Sequence, residues 1–380
     1  MQNEKMCLRK VQKHLKASRS RKGMVINMKW EENVRKVVPY VAGEQPNKPN
    51  MIKLNTNECP YPPAPGVEKL AAEMNCGALR LYPDSNTTPL VNALAEYYHV
   101  NPKQVFVGVG SDDVISMAFM TFFNSDKPIL FPDVTYSFYD VWADLYRIPY
   151  KTCPLDENWH IRPEDYKQPN GGVIFPNPNA PTGLMESLDV VEEIIQANRD
   201  VIVIVDEAYV DFGGVSALSL LEKYDNLLVV QTFSKSRAMA GLRIGFCIGS
   251  EKLIKYLNDV KFSFNSYTMN LPSQVLGVEA VRDDAYFKET TGKIVATREW
   301  TKKELKELGF TFPDSKANFI FASHKTVPAQ EIFQALREAD IYVRYWNKPR
   351  INNSLRITIG TDQEMHSLID FLKKYLADRA

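Results

Sequence analysis

Residues 231–245 read QTFSKSRAMAGLRIG, and the lysine near their start is the residue around which the fold can be inferred. The stretch before it, Asn226 to Phe233 (NLLVVQTF), is a short apolar, β-branched run of the kind that forms a strand buried on both faces of a parallel sheet. Lys235 therefore falls just past a strand's carboxyl end, the edge of an open α/β sheet at which ligands bind. A lysine desolvated there has its ammonium form disfavoured and becomes a nucleophile toward an aldehyde. Ser234 directly before it and Arg243 eight positions after it add a hydroxyl and a guanidinium, donors suited to a dianionic phosphate.

Companion segments narrow the chemistry. Residues 201–211, VIVIVDEAYVD, form a second apolar strand running into Asp206, with Tyr209 three positions on. A carboxylate at the end of a buried strand needs a cationic partner. A protonated pyridinium nitrogen is such a partner, and an aspartate held against it keeps the ring an electron sink. An aldehyde, a phosphate and a pyridine together point to pyridoxal phosphate. Residues 173–183, VIFPNPNAPTG, are a third strand ending in a Pro/Asn/Gly turn that can aim an amide at the ring's phenolic oxygen. Residues 105–113, VFVGVGSDD, are a strand followed by Gly108, Gly110, Ser111 and an apolar helical pattern from Val114 to Phe123. The backbone N–H groups at that helix start can take the phosphate.

Strand-Gly-Ser-Asp, the Pro-Thr-Gly turn, Asp-Glu-Ala-Tyr, and Ser-Lys with an arginine eight residues on occur in this order. The ordered set resembles the fold-type I pyridoxal-phosphate aminotransferases, most closely the histidinol-phosphate aminotransferase family, from about residue 28 to the C-terminus. VRKVVPYVAGEQP (34–46), KLNTNECPYPP (53–63), LYPDSN (81–86) and VRYWNKPRINNSLRITIGT (343–361) add to the likeness outside the cofactor motifs.

The resemblance implies that Lys235, Asp206 and Tyr209 are catalytic. It places Gly110, Ser111, Asp112, Tyr136, Asn179, Ser234, Arg243 and Tyr82 with Asp206, Tyr209 and Lys235 around the cofactor, Tyr136 flat against the pyridine. Tyr40, Arg344 and Arg356 are assigned to the substrate. Tyr40 and Tyr82 are expected to reach into a neighbouring subunit's site, so a homodimer with shared active sites is implied. Arg356 is expected to fork onto the α-carboxylate of glutamate in one half-reaction and the phosphate of histidinol phosphate in the other, with Arg344 a second phosphate contact. One position departs from the family pattern: Ala180 stands where an asparagine usually precedes the proline. Asn179 is expected to have taken over its contact with the ring oxygen, with Asn177 the other candidate.

Composition agrees with a chemical rather than an electrostatic mode of binding. Among 380 residues, Lys plus Arg and Asp plus Glu number 46 each, so no long-range field favours nucleic acid or a membrane surface. The five cysteines and five histidines share no metal-type spacing, and scattered, odd-numbered thiols suit a cytoplasmic protein. No apolar run approaches the ~20 residues that cross a bilayer.

Residues 1–27 are a basic extension, expected to be disordered or to precede a more natural start at Met24 or Met28. They are too short and too poorly patterned for a helix-turn-helix, which argues against a transcriptional regulator built on the same cofactor fold. Residues 28–66 are expected to form an arm or small-domain segment, 67–270 the large cofactor domain, and 271–380 a linking helix and the C-terminal small domain. Alternating strands and helices from 90 to 250 predict a mainly parallel sheet covered on both faces. One helix is expected from Pro272 through about Leu308. Within this α/β fold an aromatic or aspartate aminotransferase, or a threonine-phosphate decarboxylase, is the competing reading, since fold does not set the reaction.

Overall fold

A computed structural model describes residues 29–41, 43–377 and 379. The basic extension at 1–27 lies outside them. Two compact units divide at Pro39 and Tyr40. The described part of the first holds one 3-10 turn, Lys29–Asn33. The second carries the two sheets and the site.

Its strands are β1 (Ile52–Leu54), β2 (Val105–Gly108), β3 (Ile129–Pro132), β4 (Tyr150–Cys153), β5 (Val173–Pro176), β6 (Val203–Asp206), β7 (Leu227–Thr232), β8 (Gly245–Gly249), β9 (Phe310–Thr311), β10 (Phe319–His324), β11 (Ile341–Tyr345) and β12 (Leu355–Thr358). The helices are α1 (Pro65–Ala72), α2 (Thr88–Tyr98), α3 (Ser111–Phe122), α4 (Tyr139–Tyr146), α5 (Leu188–Ala197), α6 (Glu251–Phe264), α7 (Leu271–Arg282), α8 (Asp284–Glu307), α9 (Ala329–Glu338) and α10 (Asp362–Ala377).

Seven strands form the larger sheet in the order β2-β8-β7-β6-β5-β3-β4. All neighbours run parallel except β8, which is antiparallel to β2 and β7. Every residue of β5, β6 and β7 is buried, the signature of strands covered on both faces. One apolar cluster, with Phe119, Tyr139 and Trp142, and a second, with Val191, Ile194 and Ile195, hold side chains of alternate residues of these strands. Asp206, Lys235 and the Asn177–Thr182 turn therefore meet at one sheet edge, because β5, β6 and β7 are adjacent and point the same way.

The smaller sheet runs β1-β11-β12-β10-β9. Its first strand comes from the proline-rich segment before residue 66, paired in parallel with β11 from Ile52 opposite Ile341 to Leu54 opposite Val343. In β11 and β12, Arg344 stands directly opposite Arg356.

The helix expected from Pro272 to Leu308 is two helices. Asp283 leaves the helical region (φ −84°, ψ 67°) and its carboxylate accepts the Tyr286 N–H at 3.1 Å, capping α8. The first piece, α7, packs on α1 and α2 beside the larger sheet. The second joins the two sheets: the buried Arg298 of α8 donates to the carbonyls of Phe212 and Ala317 at 2.8 and 2.9 Å. Among the described residues no helix is long and apolar enough to cross a membrane.

Candidate active site

Lys235 follows β7 by three residues and is half-buried. Its Nζ donates to the Thr56 carbonyl at 3.3 Å and lies 5.9 Å from the centre of the Tyr209 ring. Among the described residues its ammonium has no carboxylate within ion-pair distance, so it is available for chemistry. The Tyr209 hydroxyl is held by a 3.0 Å bond from Asn57 Nδ2, and its ring meets Phe319 edge-on.

Asp206 ends β6, 5% exposed. Its Oδ2 accepts the Tyr139 hydroxyl at 2.9 Å and its Oδ1 the Ala208 N–H at 3.2 Å. Burial dominates its electrostatics and pushes its carboxyl up from 3.8 to about 6, against the pull of the Tyr139 hydrogen bond. A buried carboxylate held by two donors and no directly paired cation is a site for a cation.

The two candidate asparagines differ in what they leave free. Both ends of the Asn177 amide are tied to Glu186, Oδ1 accepting its N–H at 2.8 Å and Nδ2 donating to its carbonyl at 3.2 Å. Asn179 donates through Nδ2 to the Val134 carbonyl and the Thr182 hydroxyl, each at 3.0 Å, while its buried Oδ1 has no partner. Only Asn179 retains unmet hydrogen-bonding capacity.

On the far side, α3 begins at Ser111 after Gly110. The first bond of its ladder is Val114 N–H to Gly110 O, which leaves the N–H groups of residues 111–113 outside the ladder. A Cβ on Gly110 would come within 2.5 Å of Arg243 Nη2, and one on Gly245 within 2.2 Å of the Ser111 nitrogen. Both glycines are therefore required for this close approach. Arg243 reaches Ser234 Oγ at 3.4 Å and pairs with Asp112 at 3.0 Å. The Tyr136 hydroxyl donates to the other oxygen of Asp112 at 2.7 Å, and burial together with that carboxylate raises its phenol well above the usual value. Guanidinium, hydroxyl and helix start converge as a phosphate cradle would require.

The cleft beside Lys235 measures about 550 Å³ and is lined on one wall by Tyr136, Tyr209 and Lys235, on the other by Arg344, Trp346 and Arg356. Arg356 donates to the Asn55 carbonyl at 2.9 Å, packs within 5.4 Å of the Phe319 ring and 5.2 Å of the Trp346 ring, and leaves its buried Nε without a partner. Burial lowers its affinity for the proton, with the charge of Arg344 adding to the effect. Two like charges directly opposite across strands repel. Among the described residues neither guanidinium has a carboxylate within ion-pair distance, so the pair is poised for an anion.

Tyr40 and Tyr82, both expected to reach into a neighbouring subunit's site, stand differently in their own chain. Tyr40, expected in a neighbouring subunit's site, lies in the cleft of its own chain, stacked on Phe138 with centroids 4.1 Å apart and planes at 24°. Its segment is tied to its own chain beside the smaller sheet: the Glu44 carbonyl accepts Nδ2 of Asn55, just past β1, at 2.8 Å, and the Glu44 carboxylate pairs with Arg337 of α9 at 2.9 Å. Tyr82 is not brought to the site of this chain; it stands 81% exposed beside Tyr267. Tyr139 and Asn57 were not singled out from the sequence, although Asn57 lies in the quoted KLNTNECPYPP. No sequence pattern marks Tyr139, whose role depends on a partner 67 residues away.

An aromatic aldehyde bearing a phosphate fits these residues: an amine with no acidic partner among the described residues, a buried carboxylate that suits a ring cation, an unmet amide oxygen and a glycine-lined cradle with a guanidinium. Among the described residues no group of three or more His, Cys, Asp or Glu side chains comes together to hold a metal.

The family model for class I and II aminotransferases matches residues 49–372. A histidinol-phosphate aminotransferase of Lactococcus lactis subsp. cremoris is 52% identical over 352 residues, covering 93% of this chain and 99% of its own length. One from Clostridium botulinum is 49% identical over 347 residues, 91% and 98% of the two chains. Among solved structures, the histidinol-phosphate aminotransferase of Sinorhizobium meliloti in complex with pyridoxal-5'-phosphate superimposes with a TM-score of 0.79 over 87% of this chain and 92% of that one, at 23% identity. That of Clostridium acetobutylicum gives 0.80 over 86% and 100%, at 21% identity. These two show the fold. The family model and the near-half identity to full-length relatives go further, and by them the chain belongs to the class I and II aminotransferases, alongside the histidinol-phosphate enzymes.

Proposed function

We propose that the protein is a pyridoxal-phosphate-dependent aminotransferase converting histidinol phosphate and 2-oxoglutarate to imidazole acetol phosphate and glutamate. Two kinds of support meet here: relatives about half identical over nearly their whole length carry that name, and the cleft has the parts the reaction needs. The single observation that carries the substrate class is the pair Arg344 and Arg356, face to face in the cleft and, among the described residues, without acidic partners. A planar guanidinium accepts a carboxylate or a phosphate through the same fork, so one wall can hold either substrate's anion.

Pyridoxal phosphate, when bound, supplies an aldehyde and an electron-accepting ring that spreads the charge released at the substrate's α-carbon. The chain's own residues do the rest. Lys235 would hold the cofactor through Nζ and, once its amine is free, move the proton at the α-carbon. Asp206 would keep the ring nitrogen protonated, its own ionised form stabilised by that cation. Asn179 would donate to the ring oxygen after its amide turns, or meet a protonated one with Oδ1 as it stands. Ser234, Arg243 and the Gly110–Ser111–Asp112 helix start would hold the phosphate, Tyr136 would cover the ring, and Tyr209 with Asn57 would fix the wall against which Lys235 moves. Arg356 and Arg344, with Tyr40, would orient the substrate.

We further read the enzyme as a cytoplasmic homodimer in which the exposed Tyr82 of one subunit serves the phosphate of the other. A substrate panel followed by the cofactor's absorbance tests the assignment. The expected order of kcat/KM puts histidinol phosphate above phenylalanine and aspartate, and the reverse order would pass the site to the aromatic or acidic relatives.

A further inference from the structure

The turn between β11 and β12 is fastened to the opposite wall of the cleft. Arg350 sits in it with a left-handed backbone, φ 69°, a conformation uncommon for a side chain of its size. Its Nη1 pairs with Asp133 Oδ2, while its Nη2 donates to the carbonyls of Leu155 and Asp156 at 2.9 and 3.1 Å. The guanidinium also lies 5.2 Å from the centre of the Trp159 ring. Asp133 is held in its turn, Oδ1 accepting the Leu155 N–H at 3.0 Å.

The two ends of this clasp belong to the two halves of the site. Asp133 begins the loop after β3 that supplies the Val134 carbonyl to Asn179 and then Tyr136. Arg350 lies between Arg344 and Arg356, in a turn that also brings Trp346, Lys348 and Ile351 to the cleft. An exposed ion pair alone contributes little to stability. A guanidinium held by a carboxylate and two carbonyls in a fixed fork instead defines a geometry. We propose that Arg350 and Asp133 are positioning residues: their clasp sets the anion-binding hairpin at its working distance from the cofactor wall, and so governs the capture of anionic substrate rather than the chemistry at Lys235. The inference rests on the aminotransferase reading above and extends it to two residues to which that reading gives no role.

Asp133→Asn, Arg350→Met and the double variant, each as holoenzyme, test it. Anion capture is read as KM for glutamate and for histidinol phosphate, and independently as the Kd of glutarate, an unreactive dicarboxylate. Hydrogen bonds to a charged group are worth roughly 10-fold to 100-fold in an equilibrium, so each single variant should raise KM and the glutarate Kd by ~10-fold to 100-fold. kcat and the cofactor's absorbance maximum should stay as in the parent. The double variant should be no worse than the more affected single, because both changes open one unit. Arg350→Lys should behave like Arg350→Met, since an ammonium cannot reproduce the fork. Unchanged KM and glutarate Kd in both singles overturn the proposal, and so does a fall in kcat that parallels the rise in KM. An intact enzyme that turns over glutamate but not histidinol phosphate would overturn the substrate assignment instead, and the clasp is then judged by the same criteria on glutamate and glutarate.

Discussion

Asp206 Oδ2 accepts a 2.9 Å hydrogen bond from the hydroxyl of Tyr139, a fully buried tyrosine at the start of α4. The aspartate is thereby oriented at the end of β6 without being neutralised. Tyr139 fixes the direction of the carboxylate, and the charge is left for a ligand to balance. Structure and function pull against each other here, because a buried, unpaired charge destabilises the fold that presents it.

The first prediction concerns that cost. Burial raises the Asp206 carboxyl from 3.8 to about 6 in the folded chain. Below the lower value both folded and unfolded states are protonated and the residue is neutral toward stability. As pH rises through this window the unfolded state ionises first, so stability falls, and the loss is complete above the folded value. The gap corresponds to about 3 kcal/mol at pH 7, as an order of magnitude. Apoenzyme carrying Asp206→Asn should therefore match the parent near pH 3 in urea unfolding and exceed it at pH 7. Its activity with cofactor should drop by ~100-fold or more, since the ring cation loses its counter-charge. Equal or lower stability at pH 7 would show that the Tyr139 and Ala208 donors already compensate for burial.

A second expectation follows from how little Lys235 contributes to the fold. Among the described residues the one hydrogen bond of its side chain, to the Thr56 carbonyl, is 3.3 Å long, so Lys235→Ala should change unfolding free energy by no more than about 1 kcal/mol. Activity should fall by at least ~10⁴-fold. Borohydride treatment of the parent followed by peptide mapping should find the pyridoxyl group on Lys235. A label on another lysine would overturn the assignment of the nucleophile.

What could be read from the sequence follows burial. β5, β6 and β7 are apolar on both faces and announce themselves as runs, and the residues that follow them, Asn177 to Lys235, inherit their place at the sheet edge. β4 is Tyr-Lys-Thr-Cys with its first three residues exposed, an edge strand with no apolar run to mark it. β1 has three residues and exists because β11 is there to pair with it. The break at Asp283 was hidden because Arg-Asp-Asp continues a charged helical surface as readily as it caps a new helix. Tyr139 behind Asp206 and Arg350 on Asp133 join residues 67 and 217 positions apart; such pairings depend on tertiary packing and have no local pattern. For Tyr40 a motif identified a residue that lines the cleft, while the tether of its segment at Glu44 has no local pattern to announce it.

Tyr82 offers a test of the assembly. At 81% exposed it contributes little to its own chain, so Tyr82→Phe should leave stability within about 0.5 kcal/mol of the parent. If the hydroxyl serves the partner's cofactor phosphate, the variant should hold pyridoxal phosphate more weakly. Mixing it with Lys235→Ala chains should then restore activity, because one site of each mixed dimer combines an intact lysine with an intact tyrosine. A monomer by sedimentation at assay concentration would contradict the shared site.

The last prediction concerns Arg344 and Arg356, like charges directly opposite each other across β11 and β12. Arg356 is held by the Asn55 carbonyl and two rings, with a buried Nε left over. Removing either guanidinium relieves the pair, so Arg344→Met should leave the apoenzyme's Tm unchanged or higher while KM for histidinol phosphate rises. In the intact enzyme the same buried donors reject a substrate that lacks the anion: histidinol should fall behind histidinol phosphate by ~10⁴-fold or more in kcat/KM, the scale seen when a polar site is left unmatched. Arg356→Met should erase most of that discrimination and weaken glutamate as well, because one fork serves both half-reactions. If glutamate is untouched by Arg356→Met while histidinol phosphate suffers, the two substrates use different anion sites and the shared-fork reading fails. Lys235 and Asp206 would keep their roles in that case, since neither depends on which arginine holds the substrate.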